Sequence, residues 1–214
     1  MTVVRLSRTH HPVTSLGHGT RAGVWVQGCT IGCAGCISQD TWPSTPDSAV
    51  PVETVLAWLA GLAGPLDGLT VSGGEPFQQP EALAALLGGA RAYFGPGFDL
   101  LVYSGYSESK LRRDAARRAA LALCDAVVAG PYVERLNVGQ RWQGSSNQRL
   151  IPLTALGRKR YGDVAEDPGR PRLQVGVERE RIWAVGIPRR GDMARLETRL
   201  RSAGITLGEV SWHS

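Results

Sequence analysis

Three apolar runs in this chain each stop at a glycine: "DGLTVSGGE" (67–75), "FDLLVYSGY" (98–106) and "DAVVAG" (125–130). Runs this short and this continuously apolar fit strands buried on both faces. Between them lie "QPEALAALLGGARAYF" (79–94) and "SESKLRRDAARRAALALC" (107–124), whose apolar residues recur at helical spacing. Ser107 or Ser109 is placed to cap the second helix, and "GG" is a weak point in the first. Upstream, "AGVWVQG" (22–28) reads as another strand, and "PVETVLAWLAGLAG" (51–64) as a helix opening on a proline. Strands alternating with helices imply parallel pairing through right-handed crossovers, so the expected class is α/β. Ligands of such sheets gather where the strands end. Cys29, "SGGE" (72–75), "YSGY" (103–106) and "AGPY" (129–132) all fall at those ends.

The character of the chain changes after residue 157. "GRKRYGDVAEDPGRPR" (157–172) is rich in Gly, Pro and charge and reads as a loop. A hairpin over 172–188, a helix over 190–204 and a last strand over 205–212 are expected beyond it. The expected organisation is a core over 1–157 and a small α+β appendage over 158–214, either packed on the core or forming a small separate lobe.

The 214 residues suffice for one sizeable core, and 43% hydrophobic with 20% charged residues is a globular composition. No apolar run is long enough to span a bilayer, and "MTVVRLSRTH" lacks the apolar stretch of a secretory signal. The expected setting is the cytoplasm, where thiols stay reduced. The net charge of +5 collects in "LRRDAARRAA", "LGRKR" and "IPRRGDMARLETRLRS". Solvated helix faces account for it; docking on an acidic partner is the sharper alternative. No alternation of basic and aromatic residues points to nucleic acid. His10, His11 and His18 read as loop residues.

Three of the four cysteines occupy eight positions, "CTIGCAGC" (29–36), while Cys124 ends an apolar run and reads as a small buried hydrophobe. Cys-x3-Cys-x2-Cys by itself leaves several readings open. A structural zinc takes four protein ligands; a three-thiolate catalytic zinc is uncommon. A redox disulfide needs two cysteines. An iron–sulfur cluster takes thiolates readily, and three of them leave one iron open.

Joined to "SGGEP" (72–76), the cysteine motif resembles that of the radical S-adenosylmethionine (SAM) superfamily. Four longer stretches narrow the resemblance: "GHGTRAGVWVQGCTIGCAGCISQDTW" (17–42), "LTVSGGEPF" (69–77), "LLVYSGY" (100–106) and "RWQGSSNQRLI" (141–151). In this order they resemble the anaerobic ribonucleoside-triphosphate reductase activating family, small glycyl-radical-enzyme activases, over about residues 13 to 151. The resemblance implies a partial parallel (β/α) barrel and a [4Fe–4S] cluster held by Cys29, Cys33 and Cys36. It implies an enzyme, an oxidoreductase that reductively cleaves SAM to a 5′-deoxyadenosyl radical and takes a hydrogen from a partner glycine. Gly35 and Ile37 would touch SAM, Ser72, Gly73, Gly74 and Glu75 would line its methionine end, and Tyr103 and Ser104 would approach the nucleoside. Thiolates suit soft iron, the glycines admit close backbone approach, and Glu75 offers a carboxylate to an amine.

The resemblance also implies a glycyl-radical enzyme, or another macromolecular or peptide substrate, as partner, and a flavodoxin- or ferredoxin-type electron donor. Three positions depart from the family's usual pattern: His18 before "GTR", Ala129 after the fifth strand, and Gln143 before "GSSNQ". Tyr106 and Trp142 serve packing or function; Gly144 through Gln148 shape the cavity mouth, face the partner, or form an ordered polar loop. Two other functions stay open on the sequence: a radical SAM enzyme acting on a peptide or small metabolite, and a non-enzymatic iron–sulfur or zinc protein.

Overall fold

A computed structural model describes residues 1–165, 173–178 and 181–212. In chain order the elements are β1 (Val3–Val13), β2 (Arg21–Val26), β3 (Ala49–Pro51), α1 (Val52–Ala60), β4 (Gly68–Gly73), α2 (Pro80–Phe94), β5 (Asp99–Ser104), α3 (Glu108–Arg113), α4 (Ala115–Leu121), β6 (Ala126–Ala129), β7 (Arg149–Pro152), α5 (Ala155–Tyr161), β8 (Leu173–Glu178), β9 (Arg181–Gly186) and α6 (Asp192–Ser202). Seven strands form one sheet in the order β3-β1-β2-β4-β5-β6-β7. β2, β4, β5 and β6 run parallel, and β1, β3 and β7 add antiparallel margins.

From β2 to β6 the sheet grows in one direction. Right-handed crossovers then place every connecting helix on the same face. The buried residues follow this rule: Val55 and Leu59 of α1, Leu83, Leu86 and Leu87 of α2, and Leu121 of α4 share one cluster with Val71, Leu100, Val102 and Val127 of the strands. The opposite face is lined by Trp25, Leu101, Tyr103, Ala126 and Val128, and is covered by Trp142, by Tyr161 of α5, and by Trp183 and Val185 of β9. Both faces of β5 are therefore buried, which is why its sequence is apolar without alternation.

The expected strands at 22–28, 67–75, 98–106 and 125–130 and the helix at 79–94 form where the sequence placed them. Gly88 and Gly89 do not break α2; a Cβ on Gly89 would lie 2.4 Å from Leu56, so that glycine lets α1 and α2 pack closely. The sheet is mostly parallel at its centre and open among the described residues, with β3 and β7 as its edges. Other expectations are corrected. The helix expected over 107–124 is two, because Asp114 ends α3 and its side chain accepts the backbone N–H of Arg117 to cap α4. Ser107 is the residue that caps α3.

His10 and His11 lie in β1, not in a loop; this long strand alternates weakly because its residues are mostly half-buried. His18 is an exposed loop residue, as expected. Of the loop expected over 157–172, residues 157–165 are instead the end of α5 and a 3-10 turn. Thr154 caps α5, and Tyr161 turns in to the core. Residues 166–172 lie outside the described residues. β8 and β9 pair antiparallel where the hairpin was expected, and residues 179–180 between them lie outside the described residues. The last strand expected over 205–212 does not form; that segment runs as a tail after α6.

Candidate functional site: a three-thiol loop at the strand ends

The cysteine loop leaves β2 at its carboxyl end and is tied down at its root. Backbone N–H groups of Gly28 and Cys29 donate to Thr41 O (2.8 Å) and Trp42 O (3.0 Å). The Gln27 amide donates to Asp40 O and Pro43 O, at 3.0 and 2.8 Å. β4 grips the same root: Gly74 N–H donates to Val26 O (2.8 Å) and Glu75 N–H to Gly28 O (2.9 Å). Here the glycines are needed by the chain itself. A Cβ on Gly73 would sit 2.6 Å from Val26 N, and one on Gly74 would sit 2.3 Å from Gly28 O. The sequence-based reason for them, approach of a ligand, is joined by a second: close approach of β4 to the loop.

Within the loop, Gly32 and Gly35 take φ of +62° and +75°, the left-handed turns that bring the chain back on itself. Cys36 N–H donates to Cys33 O at 3.1 Å. All three thiols are half-buried and free of disulfide bonds. Desolvation raises the Cys33 thiol's pKa; the Tyr132 backbone N–H opposes this, and Cys36, Cys29 and Glu75 add to it. Desolvation likewise raises Cys36, against the Ser38 N–H at 3.4 Å. Cys33 thus feels the charges of Cys36 and Cys29, and Cys36 that of Cys29. Ionising all three needs a compensating cation. Among the described residues no three His, Cys, Asp or Glu side chains converge as single-ion ligands do. Three thiols are one short of the four protein ligands of a structural zinc, and thiolates are the ligands an iron–sulfur cluster takes. The donor set thus fits a cluster.

Glu75 is 1% exposed, and its carboxylate is already engaged. Oε1 accepts from Phe77 N–H (3.0 Å) and Ser104 Oγ (2.9 Å), and Oε2 from Gly105 N–H (2.7 Å). It therefore latches the end of β4 to the end of β5. Burial raises its pKa to about 7, against the lowering effect of those donors and of Arg117. Ser104 completes the latch by accepting Tyr106 N–H at 3.0 Å. Ile31 of the cysteine loop lies against Gly105, where a Cβ would meet it at 2.6 Å.

The structure thus brings Cys29, Cys33, Gly35, Cys36 and Ile37 onto one loop, seated on the ends carrying Ser72, Gly73, Gly74, Glu75 and Ser104. Tyr103 stands apart: its ring lies on the opposite face of β5, and its buried hydroxyl feels Tyr161 and Arg21, at the amino ends of the strands. Burial raises its pKa strongly. Trp142 and Tyr106 are buried and pack in the cores. Cys124 is fully buried, remote from the loop in sequence and packed among Leu121 and Val127.

Four residues at the site were not singled out from the sequence. Gln78 joins the loop to β5, donating to Thr30 Oγ1 (2.6 Å) and Tyr106 Oη (3.0 Å). Gln79 donates to Gln27 O at 3.1 Å. Tyr132 reaches the Cys33 thiol through its backbone, and Glu134 lies 3.0 Å from where a Gly35 Cβ would stand. Two adjacent glutamines at the entrance of a helix were the available signal for the first pair; Tyr132 closes the "AGPY" strand end, and nothing local marks Glu134. The "GSSNQ" loop holds Tyr132 in place. Ser145 Oγ accepts Val133 N–H, Asn147 donates to Pro131 O, and Gln148 donates to Gly130 O while accepting Gly144 N–H. It is an ordered polar knot. A cleft of about 440 Å³ opens beside it, lined by Ser107, Arg112, Gly130, Asn147 and Arg149 among others.

An α/β sheet that carries three thiols on one loop at its strand ends has a donor set suited to an iron–sulfur site. Residues 15–151 match the family described as "4Fe-4S single cluster domain". An anaerobic ribonucleoside-triphosphate reductase-activating protein from Pasteurella multocida is 31% identical over 144 residues, covering 64% of this chain and 90% of the relative. Its namesake from Haemophilus influenzae is 30% identical, covering 62% and 87%. A pyruvate formate-lyase-activating enzyme from Clostridium pasteurianum is 34% identical over 36% of each chain. The chain belongs to the 4Fe-4S single cluster domain family and, within it, to the radical SAM activases, which are enzymes of the oxidoreductase type. None of its described helices is long and apolar enough to cross a membrane.

Proposed function

We propose that this protein binds a [4Fe–4S] cluster through Cys29, Cys33 and Cys36, binds SAM beside it, and generates a 5′-deoxyadenosyl radical that activates a glycyl-radical enzyme, an anaerobic ribonucleotide reductase. When bound, the cluster supplies the single electron that breaks a carbon–sulfur bond of SAM. The chain's own residues bind and orient. Gly35 and Ile37 border the last thiol, Ser72 through Glu75 and Ser104 form the strand ends beneath, and the Glu75 latch keeps those ends in register. Tyr103 completes the nucleoside side of this reading, acting through its backbone at the strand end. The open sheet serves as the partial barrel. A flavodoxin- or ferredoxin-type donor in the cytoplasm supplies the electron, and the +5 charge favours docking of an acidic one.

The observation that carries this reading is the seating of a loop with three free thiols on the Gly74–Glu75 strand end, in a chain whose relatives are activases. Its test is anaerobic reconstitution with iron and sulfide, then dithionite and SAM. Methionine and 5′-deoxyadenosine should form with the native chain and vanish in Cys33→Ser. Mixed with the reductase, the native protein should raise a glycyl-radical doublet in the EPR spectrum. A protein that stays colourless, or leaves SAM intact, refutes the enzyme assignment.

One observation favours a second substrate. The inner face of the sheet is filled by Trp25, Tyr103, Trp142, Tyr161 and Trp183. A face so occupied suits a short peptide or small metabolite better than a large loop. SAM cleavage without a partner glycyl radical is the result that would select this reading.

A further inference from the structure

The family match ends at residue 151, yet the chain returns to the cysteine loop some sixty residues later. Beyond α6, Ser211 and Trp212 lie against the segment that follows Cys36. Gln39 N–H donates to Ser211 O at 2.8 Å. Ser211 Oγ donates to Ile37 O at 3.0 Å. The Gln39 amide donates to Trp212 O at 3.3 Å. The tail is itself anchored, because the Trp212 indole N–H donates to Glu197 of α6 at 2.5 Å.

The position of these contacts gives them their meaning. The loop's first thiol, Cys29, is held by the 41–42 backbone and by β4. Its last thiol, Cys36, stands one residue before Ile37, whose carbonyl Ser211 holds. Gln39 then opens the 3-10 turn Gln39–Thr41, whose last carbonyl accepts Gly28 N–H. The tail therefore closes the far side of a ring of which the root closes the near side. Glycine-rich loops lose much backbone entropy on ordering, so a clamp at the free end decides how well the last thiol is placed.

We propose that Ser211 and Trp212, braced by Glu197, are positioning residues for the cysteine loop, holding the Ile37–Gln39 backbone so that Cys36 meets its metal in one geometry. The inference rests on the reading of Cys29, Cys33 and Cys36 as cluster ligands. It assigns a function to part of the chain that lies outside the family match.

The test uses the full chain. In the iron-free, reduced protein, hydrogen exchange followed by mass spectrometry should show peptides spanning 36–42 exchanging at least about tenfold faster in Ser211→Ala/Trp212→Ala than in the native chain. Peptides of β4 and β5 should be unchanged. Ser211→Thr, which keeps a hydroxyl, and Glu197→Gln, which keeps an acceptor, should retain most of the native protection, while Glu197→Ala should lose it. After reconstitution, the double variant should lose its visible absorbance to an iron chelator several-fold faster, and its reduced cluster should give a broadened EPR signal. Native-like exchange at 36–42 in the double variant overturns the proposal. So does equal loss in Ser211→Thr and Ser211→Ala. A native chain that takes up no cluster, while exchange at 36–42 still depends on Ser211, would sink the proposed function and leave the clamp standing as a structural contact.

Discussion

Glu75 shows how one side chain acquires a role its motif does not state. Read from "GGE", it is a carboxylate offered to an amine; in the fold it is enclosed and accepts from Phe77, Ser104 and Gly105. Burial outweighs those donors and lifts its pKa from 4.5 to about 7. A carboxyl raised in this way holds its proton more tightly folded than unfolded, so rising pH between about 4.5 and 7 favours the unfolded chain. Stability of the apo-protein in urea should fall across that window by on the order of 3 kcal/mol, and Glu75→Gln should flatten that part of the profile. An unchanged slope in the variant would show that Glu75 ionises in its ordinary range. The cysteines behave more simply. Cys33→Ser should abolish the visible absorbance of the reconstituted protein, whereas Cys124→Ser, in the helix-side core, should keep it and lower only the melting temperature.

At the level of elements, the strand ends are where local sequence and packing meet. Gly74 is required by the carbonyl of Gly28, 2.3 Å from its absent Cβ. Gly74→Ala should cost about 1–3 kcal/mol by overpacking and should also reduce iron bound per chain, since the displaced atoms root the cysteine loop. The break between α3 and α4 has a milder test. Asp114→Ala removes the cap on Arg117 N–H and should lower stability by about 1 kcal/mol in a denaturant melt, with cluster binding intact. The helical period of 107–124 was legible; the break was not, because Asp114 reads equally as an exposed helix residue and as a cap.

The whole molecule is joined across its inner face at the amino ends of the strands. Arg21 is fully buried; it donates to Asp99 at 2.5 Å, to Thr70 at 2.7 Å and to Leu69 O at 2.7 Å. Tyr161, from α5, donates its hydroxyl to the same Asp99 carboxylate. Asp99→Asn leaves a buried guanidinium uncompensated and should cost about 3–5 kcal/mol. Tyr161→Phe removes one bond to a charged acceptor and should cost about 1.5–3 kcal/mol. Because both act on one carboxylate, the double variant should lose less than the sum of the two, as a double-mutant cycle by chemical denaturation would register. Additive losses would mean that α5 is not coupled to the sheet through Asp99.

Periodicity and glycine placement determined the parallel strands, their order of helices, and the gathering of Cys29, "SGGE" and "YSGY" at one end of the sheet, because these are local patterns whose spatial consequence follows from chain handedness. The three-thiol loop was likewise written in adjacent residues. Packing alone decided the rest: that Tyr103 turns away from the loop, that Gln78 and Tyr132 turn toward it, that Asp99 waits for a tyrosine 62 positions later, and that Ser211 comes back to Ile37. Each of these is a contact between segments far apart in the chain, and no local preference of either partner announces it. The free energy that selects such contacts exists only once both partners are removed from water together.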